Sequence, residues 1–582
     1  MRFLRGTESA PEAERTMNQE KRICQNCKKE FTIEPDDFAF YEKIQVPPPT
    51  FCPECRFQRR LAWFNTFNLY KRACDLCKKN VISVYAPDAP YVVYCPECWW
   101  GDNWDQYATG KEYDPAKPFL EQFDKLMHKV PLLGISLDIP TSKDSPYTSN
   151  AANLKNCYLL YQANCDEDSA YGFYVEHDKS VLDCTLCLNS EWLYDSMHAW
   201  RCNHGIGLRG YAVELLNCSF MKDASNCQDC FMCASVKNKK YCIENKQYTK
   251  EEYQKEITKY DLGSYAGYRK ALKEAEAFWA TRIPKAEFGD RNINCWGAHI
   301  YDSKNVKDSF QVNNGENCRY VSMVSDGIWD SYDITYWGEN LSLSYDSSVV
   351  GNQSSGIKFS QEILKSEDLE YCKALVSSSH CFGCVGMKKG EYCVLNKKYS
   401  KEEYQRLVER IRRDMDENVY RDKKGKEYRY GEFFPIELSP NGYNEAEANH
   451  FLPLAKEEIL QEGYVWRDPP KSEYRVTIEA ANLPDHIKDA KDSILSEVIG
   501  CAKCGRGFKL IPMELSFLRR MNLPLPRECP FCRINEKFKL WLGNMAQYPR
   551  KCSNCGIRFV ARYTEKEAPV VYCNKCYQSL VL

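Results

Sequence analysis

Eight C-x2-C pairs stand out in the chain, four near each end: Cys24/Cys27, Cys52/Cys55, Cys74/Cys77 and Cys95/Cys98, then Cys501/Cys504, Cys529/Cys532, Cys552/Cys555 and Cys573/Cys576. A C-x2-C turn presents two sulfurs from a tight knuckle whose backbone amides can also bond them, and two knuckles supply the four tetrahedral ligands that zinc takes. The spacing C-x2-C-x24-C-x2-C followed by C-x2-C-x17-C-x2-C, present once at each end, predicts four sites: Cys24/Cys27/Cys52/Cys55, Cys74/Cys77/Cys95/Cys98, Cys501/Cys504/Cys529/Cys532 and Cys552/Cys555/Cys573/Cys576. All ligands are cysteine and no position is left for water, so about four structural zinc ions per chain are expected, with iron in an all-thiolate site as the alternative ion. A single C-x2-C reads equally well as a redox dithiol; eight in matched pairs do not.

The elements that carry these motifs are duplicated. The first eight cysteines recur 477 or 478 residues later, and their surroundings travel with them, PTFCPECR at 49–56 against PRECPFCR at 526–533 and VVYCPEC at 92–98 against VVYCNKC at 570–576. In the middle, Cys230, Cys233 and Cys242 recur 151 residues on as Cys381, Cys384 and Cys393, and YCIENKQYTKEEYQ at 241–254 matches YCVLNKKYSKEEYQ at 392–405 without gaps. Thr249/Glu252 and Ser400/Glu403 have the spacing of a capping box, and Tyr404, Leu407, Val408 and Ile411 follow at helical period, so a helix closes each copy.

The first ribbon, with its aromatic, acidic segment, proline and closing C-x-x-C-R, resembles the probable zinc-ribbon domain family. The second resembles short C-x2-C-x17-C-x2-C ribbons ending in VYC-x-x-C. With the NKQYTKEEY segments and the GEFFPIELSPNGYN stretch, the layout is similar to uncharacterised bacterial zinc-ribbon proteins, a resemblance that implies metal binding and no established activity. The third ribbon departs from the pattern, with Leu515, Phe517 and Leu518 in place of the acidic, aromatic segment.

Between the ends, short segments rich in Tyr, Phe, Val, Cys and Ser recur between Asn, Asp and Gly, among them NCYLLY, DCTLCL, DSMHAW, NCSFMK, DCFMCA, DSFQV, NCRYVS and DSYDITY. Evenly spaced short strands with turn residues between them predict a mainly β fold with short helices, the duplicated cysteine-rich centre being a β-solenoid with two strands per coil or a pair of β-sandwiches, flanked by zinc-ribbon pairs. The expected layout is serial: a disordered tail at 1–20, tandem ribbons at 21–105, a helical linker at 106–148, the first β repeat and its closing helix at 149–262, a helical spacer at 263–289, the second repeat at 290–415, an extended connector at 416–500 and tandem ribbons at 501–582. Only three of the central cysteines are shared by both copies; Cys227 faces Ser378 and Asp229 faces His380, so these thiols read as core residues or as an incomplete extra zinc site.

Net charge is -2 over 582 residues, which excludes a bulk polycation, yet residues 501–582 carry 15 basic and 5 acidic groups. Basic, aromatic stretches follow the second knuckle of the first and third ribbons. Arg56, Arg59, Arg60, Lys71 and Arg72, with Arg533, Lys537 and Lys539, are candidate contacts to single-stranded RNA or DNA if helices there display them; the bland reading is a solvated helix face covering a small metal core. No nucleotide, hydrolase or metalloprotease motif occurs and the eight histidines are scattered, so no enzyme activity and no organic cofactor are expected. Asp330, Asp333, Asp346, Trp329, Tyr332, Tyr336 and Trp337 offer a minor alternative, a carbohydrate groove. The expectation is a zinc-binding scaffold or adaptor whose partner is a protein or a nucleic acid. The N-terminal segment has no apolar leader core and no run is long enough to span a bilayer, so a cytoplasmic location without membrane association is expected.

Overall fold

In a computed structural model the chain is described over residues 19–138, 140–469 and 474–580, so residues 1–18 of the expected tail lie outside the described residues. Two units form, and they interleave along the chain. One comprises Met1–Ile135 with Phe288–Asp468, the other Ser136–Glu287 with Pro469–Leu582. The N-terminal ribbons therefore fold with the second β repeat and the C-terminal ribbons with the first, a pairing that the serial layout did not express.

The centre of each unit is a β-solenoid, which settles the choice against sandwiches. Strands pair in parallel with partners 12 residues on, as in Lys179↔Glu191 and Glu191↔Asn203 on one face and Thr185↔Met197 on the other. Each coil thus carries two short strands, and the first solenoid assembles 13 strands and the second 17. Within a coil the chain turns every three residues. Asn156, Leu159, Gln162, Cys165, Asp168, Tyr171, Tyr174 and His177 all have φ between 49° and 60°, the left-handed region that Asn and Asp adopt most readily.

The residue after each corner points inward, so the core is a column of triplets: Cys157, Leu160, Ala163, then Val175, Val181, Cys184 and Cys187 in the first solenoid, all buried. The segments NCYLLY, DCTLCL and DSMHAW are this grammar, a corner Asn or Asp followed by a small inward Cys or Ser. Inward serines knit one coil to the next: Ser169 Oγ donates to the Glu167 carbonyl at 2.8 Å and accepts the Val181 amide at 3.2 Å. In the second solenoid the coils between Arg319 and Lys358 hold 13 residues rather than 12, as in Ile328↔Leu341 and Tyr332↔Tyr345.

Each solenoid ends on an antiparallel two-residue strand, Lys246–Gln247 or Lys397–Lys398, that turns the last coil away from further pairing. The closing helices follow as Lys250–Ile257 and Lys401–Glu417, both with the expected capping box; the second buries Val408, Ile411 and Met415. The spacer helix runs Tyr265–Ala280 and the linker helix Phe119–Met127. The stretch expected to be an extended connector is instead partly built into the core: Phe433, Phe434, Tyr443 and Glu447 are buried, and Trp63 stacks on Phe434 with ring centroids 4.7 Å apart.

Candidate metal centres and the clamps beneath them

The four ribbons use one local design. The first cysteine donates its amide to the carbonyl five residues on and accepts the amide four residues on: Cys24 with Lys29 (2.9 Å) and Lys28 (3.0 Å), Cys74 with Lys79 and Lys78, Cys501 with Arg506 and Gly505, Cys552 with Ile557 and Gly556. The turning residue is left-handed each time, Lys28, Lys78, Gly505 and Gly556 having φ of 60°, 62°, 72° and 74°. The third cysteine caps a helix in three of them, Cys52, Cys95 and Cys529 preceding Pro53–Ala62, Pro96–Trp100 and Pro530–Asn544, so proline occupies the first turn, where its missing N–H costs nothing.

These turns bring all four predicted quartets together, the sulfurs of each lying within 4.8 Å of one another. Sulfur–sulfur distances are 3.7 Å for Cys27–Cys52, 3.9 Å for Cys77–Cys95, 3.9 Å for Cys501–Cys532, 3.8 Å for Cys504–Cys529 and 3.8 Å for Cys555–Cys573. A tetrahedral ion with metal–sulfur bonds of about 2.3 Å needs sulfurs about 3.8 Å apart, far beyond the ~2.05 Å of a disulfide. The residues present therefore fit a four-coordinate thiophilic metal. Backbone amides aim at the ligands, with N–H···S bonds of 3.3 Å from Cys52 to Cys24, 3.3 Å from Cys95 to Cys74 and 3.2 Å from Cys529 to Cys501. Burial raises the Cys74, Cys501 and Cys552 thiols, but amide hydrogen bonds from Cys95, Cys529 and Cys555 and their neighbours outweigh it, bringing them down to about 7, 7 and 6; ligands that ionise easily bind metal at neutral pH.

The basic residues after the knuckles are placed otherwise than a displayed helix face would have them. Arg56 pairs with Asp333 at 2.8 Å, Arg60 bridges Asp333 (3.1 Å) and Asp346 (2.7 Å), and Arg59 bridges Asp346 (3.1 Å) and Glu432 (2.8 Å). None of these side chains is more than 4% exposed. Arg60 also donates to Thr335 at 3.0 Å and Arg56 to the Phe51 carbonyl at 2.7 Å. In the other unit Arg533 pairs with Asp183 and with Glu514 (2.8 Å), and Lys537 with Asp195.

Arg56, Arg59, Arg60, Arg533 and Lys537 thus fasten each ribbon helix to its solenoid instead of facing a polyanion: they point at carboxylates that the solenoid raises to meet them. Arg72 is buried as well, donating to the Ala86 carbonyl and pairing with Asp75, both at 3.1 Å. Lys71, on the strand Tyr70–Ala73 and not on the knuckle helix, and Lys539, on the helix Pro530–Asn544, are exposed. The carbohydrate groove closes for the same reason. Asp333 and Asp346 are wholly buried under arginines, Tyr332 and Tyr336 are buried, and Asp330 pairs with Lys43 at 3.3 Å beside half-buried Trp329 and Trp337.

Asp333 and Asp346 stood out in the sequence as groove residues, but the clamping role of the acids did not, although a signal was there. The same offset that relates the ribbons relates Asp37 to Glu514, and the solenoid offset relates Asp183 to Asp333 and Asp195 to Asp346 within one residue. Asp37 holds Arg319 at 2.7 Å; Glu514 accepts from Tyr171 at 2.8 Å. Arg56 lies over Tyr320 and Arg533 over Tyr171, at 5.3 and 4.6 Å, so even the cation–π contact is duplicated.

The central thiols stand at inward triplet positions. Cys230, Cys233, Cys381 and Cys393 donate to the carbonyl two residues before them at 3.3–3.4 Å, as Ser378 does at 3.1 Å. They occupy the structural role of inward serines, and among the described residues the groups of three or more ligand atoms gathered to hold an ion are the four ribbon quartets. No helix among the described residues is long and apolar enough to cross a membrane.

Compared with known protein families and with curated proteins, the chain matches none.

Proposed function

We propose that the chain is a zinc-organised, non-catalytic scaffold, its four-cysteine ribbons folding around structural zinc and working in the cytoplasm by binding a macromolecular partner. The observation that carries this reading is the closure of the quartets: each spends four sulfurs on the ion and leaves no position for substrate or water. The clamps support it, because the conspicuous acids and bases of both units are neutralised against each other in buried ion pairs. Ribbons of this size bury too little apolar surface to fold unaided, so the metal supplies their stability and the clamp passes it to the solenoid. The test is metal analysis of the purified chain with chelator release. About four zinc per chain, with loss of protease resistance on removal, is expected; two or fewer, or predominantly iron, would overturn the assignment.

A further inference from the structure

The loop that leads into the second knuckle is built differently in the two units. In the N-terminal ribbon unit it holds a carboxylate: Glu432 accepts the Thr50 amide at 2.7 Å and the Thr50 hydroxyl at 2.5 Å, and pairs with Arg59 at 2.8 Å. The offset that relates the ribbons puts Arg527 at the place of Thr50 and Glu536 at that of Arg59. Arg527 is buried and gives Nη2 to the Leu483 and Pro484 carbonyls, at 3.1 and 3.0 Å, while its Nη1 makes no hydrogen bond. Its amide, the counterpart of the one that Thr50 gives to Glu432, likewise has no acceptor among the described residues. Burying a guanidinium with open donors is costly until an anion completes it.

The surroundings of Arg527 supply a place for that anion. Its guanidinium lies 4.8 Å from the Tyr265 ring centroid, and Arg269 follows Tyr265 one turn later on the spacer helix. Arg527, Tyr265 and Arg269 line one cavity of about 80 Å³, partly open to solvent. At about 30 Å³ per water, that volume suits a single carboxylate or phosphate group. The other charges lining the cavity are matched: Arg533 pairs with Asp183, Lys537 with Asp195, and Glu528 and Glu536 with Lys503 at 3.5 and 3.8 Å. Arg527 and exposed Arg269 are the surplus, neither paired with a carboxylate among the described residues. Forked guanidinium donors match the adjacent oxygens that carboxylates and phosphates share. We infer that this cavity binds a small oxyanion, a carboxylate or phosphate group, between Arg527 and Arg269, and that the bound group ties the spacer helix to the ribbon as Glu432 ties the connector to the other one.

The site does not depend on which macromolecule the scaffold binds. The experiment is isothermal titration calorimetry of the metal-loaded full chain, in Tris buffer at neutral pH, with acetate, phosphate and sulfate in turn. Saturable binding of at least one of them at one site per chain, with a Kd of about 1 mM or tighter, is expected. It should weaken about tenfold or more on Arg269→Ala and on Arg527→Thr, and stay unchanged on Lys270→Ala, which alters the next position of the same helix. A preference for acetate assigns the site to a carboxylate ligand, and a preference for phosphate or sulfate to a phosphate-bearing one. Arg269 is exposed, so its removal leaves the fold intact; Arg527→Thr installs the residue of the other ribbon, and an unchanged melting temperature and metal content verify that it folds. If Arg527→Thr melts early, Arg269→Ala decides alone. No saturable binding of any of the three anions up to about 10 mM, tenfold above the expected limit, or binding that Arg269→Ala does not weaken, would overturn the inference.

Discussion

The two units solve one docking problem with unequal resources. In the N-terminal ribbon unit three arginines meet Asp333, Asp346 and Glu432. In the C-terminal ribbon unit the position of Arg59 is taken by exposed Glu536 and that of Arg60 by Lys537, so the solenoid supplies Arg209 (3.0 Å) and the spacer helix Tyr268 (2.7 Å) to complete the shell around Asp195. The balance of burial against pairing shows in the acids. Burial raises Asp183 to about 6 despite Arg533, whereas beside Asp195 the charges of Arg209 and Lys537 outweigh burial and hold it well below the ordinary carboxylate range. A buried carboxylate is thus secured by the number of cations that reach it, and a ribbon that loses one must borrow another from its neighbours.

Removing the metal from one pair only should break this symmetry most strongly. Cys52→Ser is expected to unfold the first ribbon, release its share of structural-zinc folding energy, on the order of 10 kcal/mol for such sites, and uncover the second solenoid. Hydrogen exchange should then rise over 19–105 and 319–382 while 149–243 stays protected; equal loss in both solenoids would show that the units are not independent.

Cutting a single clamp comes next. Arg59→Met and Arg533→Met each leave a buried carboxylate without its paired cation, Glu432 in one unit and Glu514 in the other, with an expected cost of about 3–5 kcal/mol. Arg60→Met should cost less than Arg59→Met, because Asp333 keeps Arg56 and Asp346 keeps Arg59, whereas Arg59→Met strips buried Glu432 of its cation. Chemical denaturation of the three variants side by side ranks them.

Acid probes the same contrast through two histidines, half-buried His450 and buried His198. Burial holds His450 of the first unit down to about 4 and, with Arg562 and Lys285, His198 of the second down to about 3. A depressed pKa means the folded state binds the proton less well, so this stability is complete above about 6.5 and is lost as pH falls toward those values. The loss approaches about 3 kcal/mol for His450 and more for His198. Melting between pH 7 and 4 with His450→Gln and His198→Gln as references should flatten the corresponding transition.

The smallest effect is expected where chemistry is most tempting. Cys230→Ser and Cys381→Ser exchange one inward hydrogen-bonding side chain for another and should cost about 1 kcal/mol or less, with zinc content unchanged. Loss of metal from either variant would make the central thiols ligands.

Particular residues mark how far the sequence could be read. The ribbon quartets were legible because four ligands set by two tight turns are a local matter: knuckle spacing alone places the sulfurs. The closing helices were legible because Thr249/Glu252 and Ser400/Glu403 act within one turn. The solenoid was visible as strand texture, but its triplet grammar was not. Corner residues such as Leu159, Tyr171 and Tyr174 are left-handed without being Asn, Asp or Gly, so the stacking of coils imposes a conformation that local preference does not announce. What only the tertiary structure decided is which solenoid each ribbon pair joins and what its arginines do there. A guanidinium has the same sequence signature on a surface as in a core, and its role is fixed by Asp333, more than 270 residues away, whose burial turns a candidate contact for solvent-borne phosphate into the clamp that holds the ribbon down.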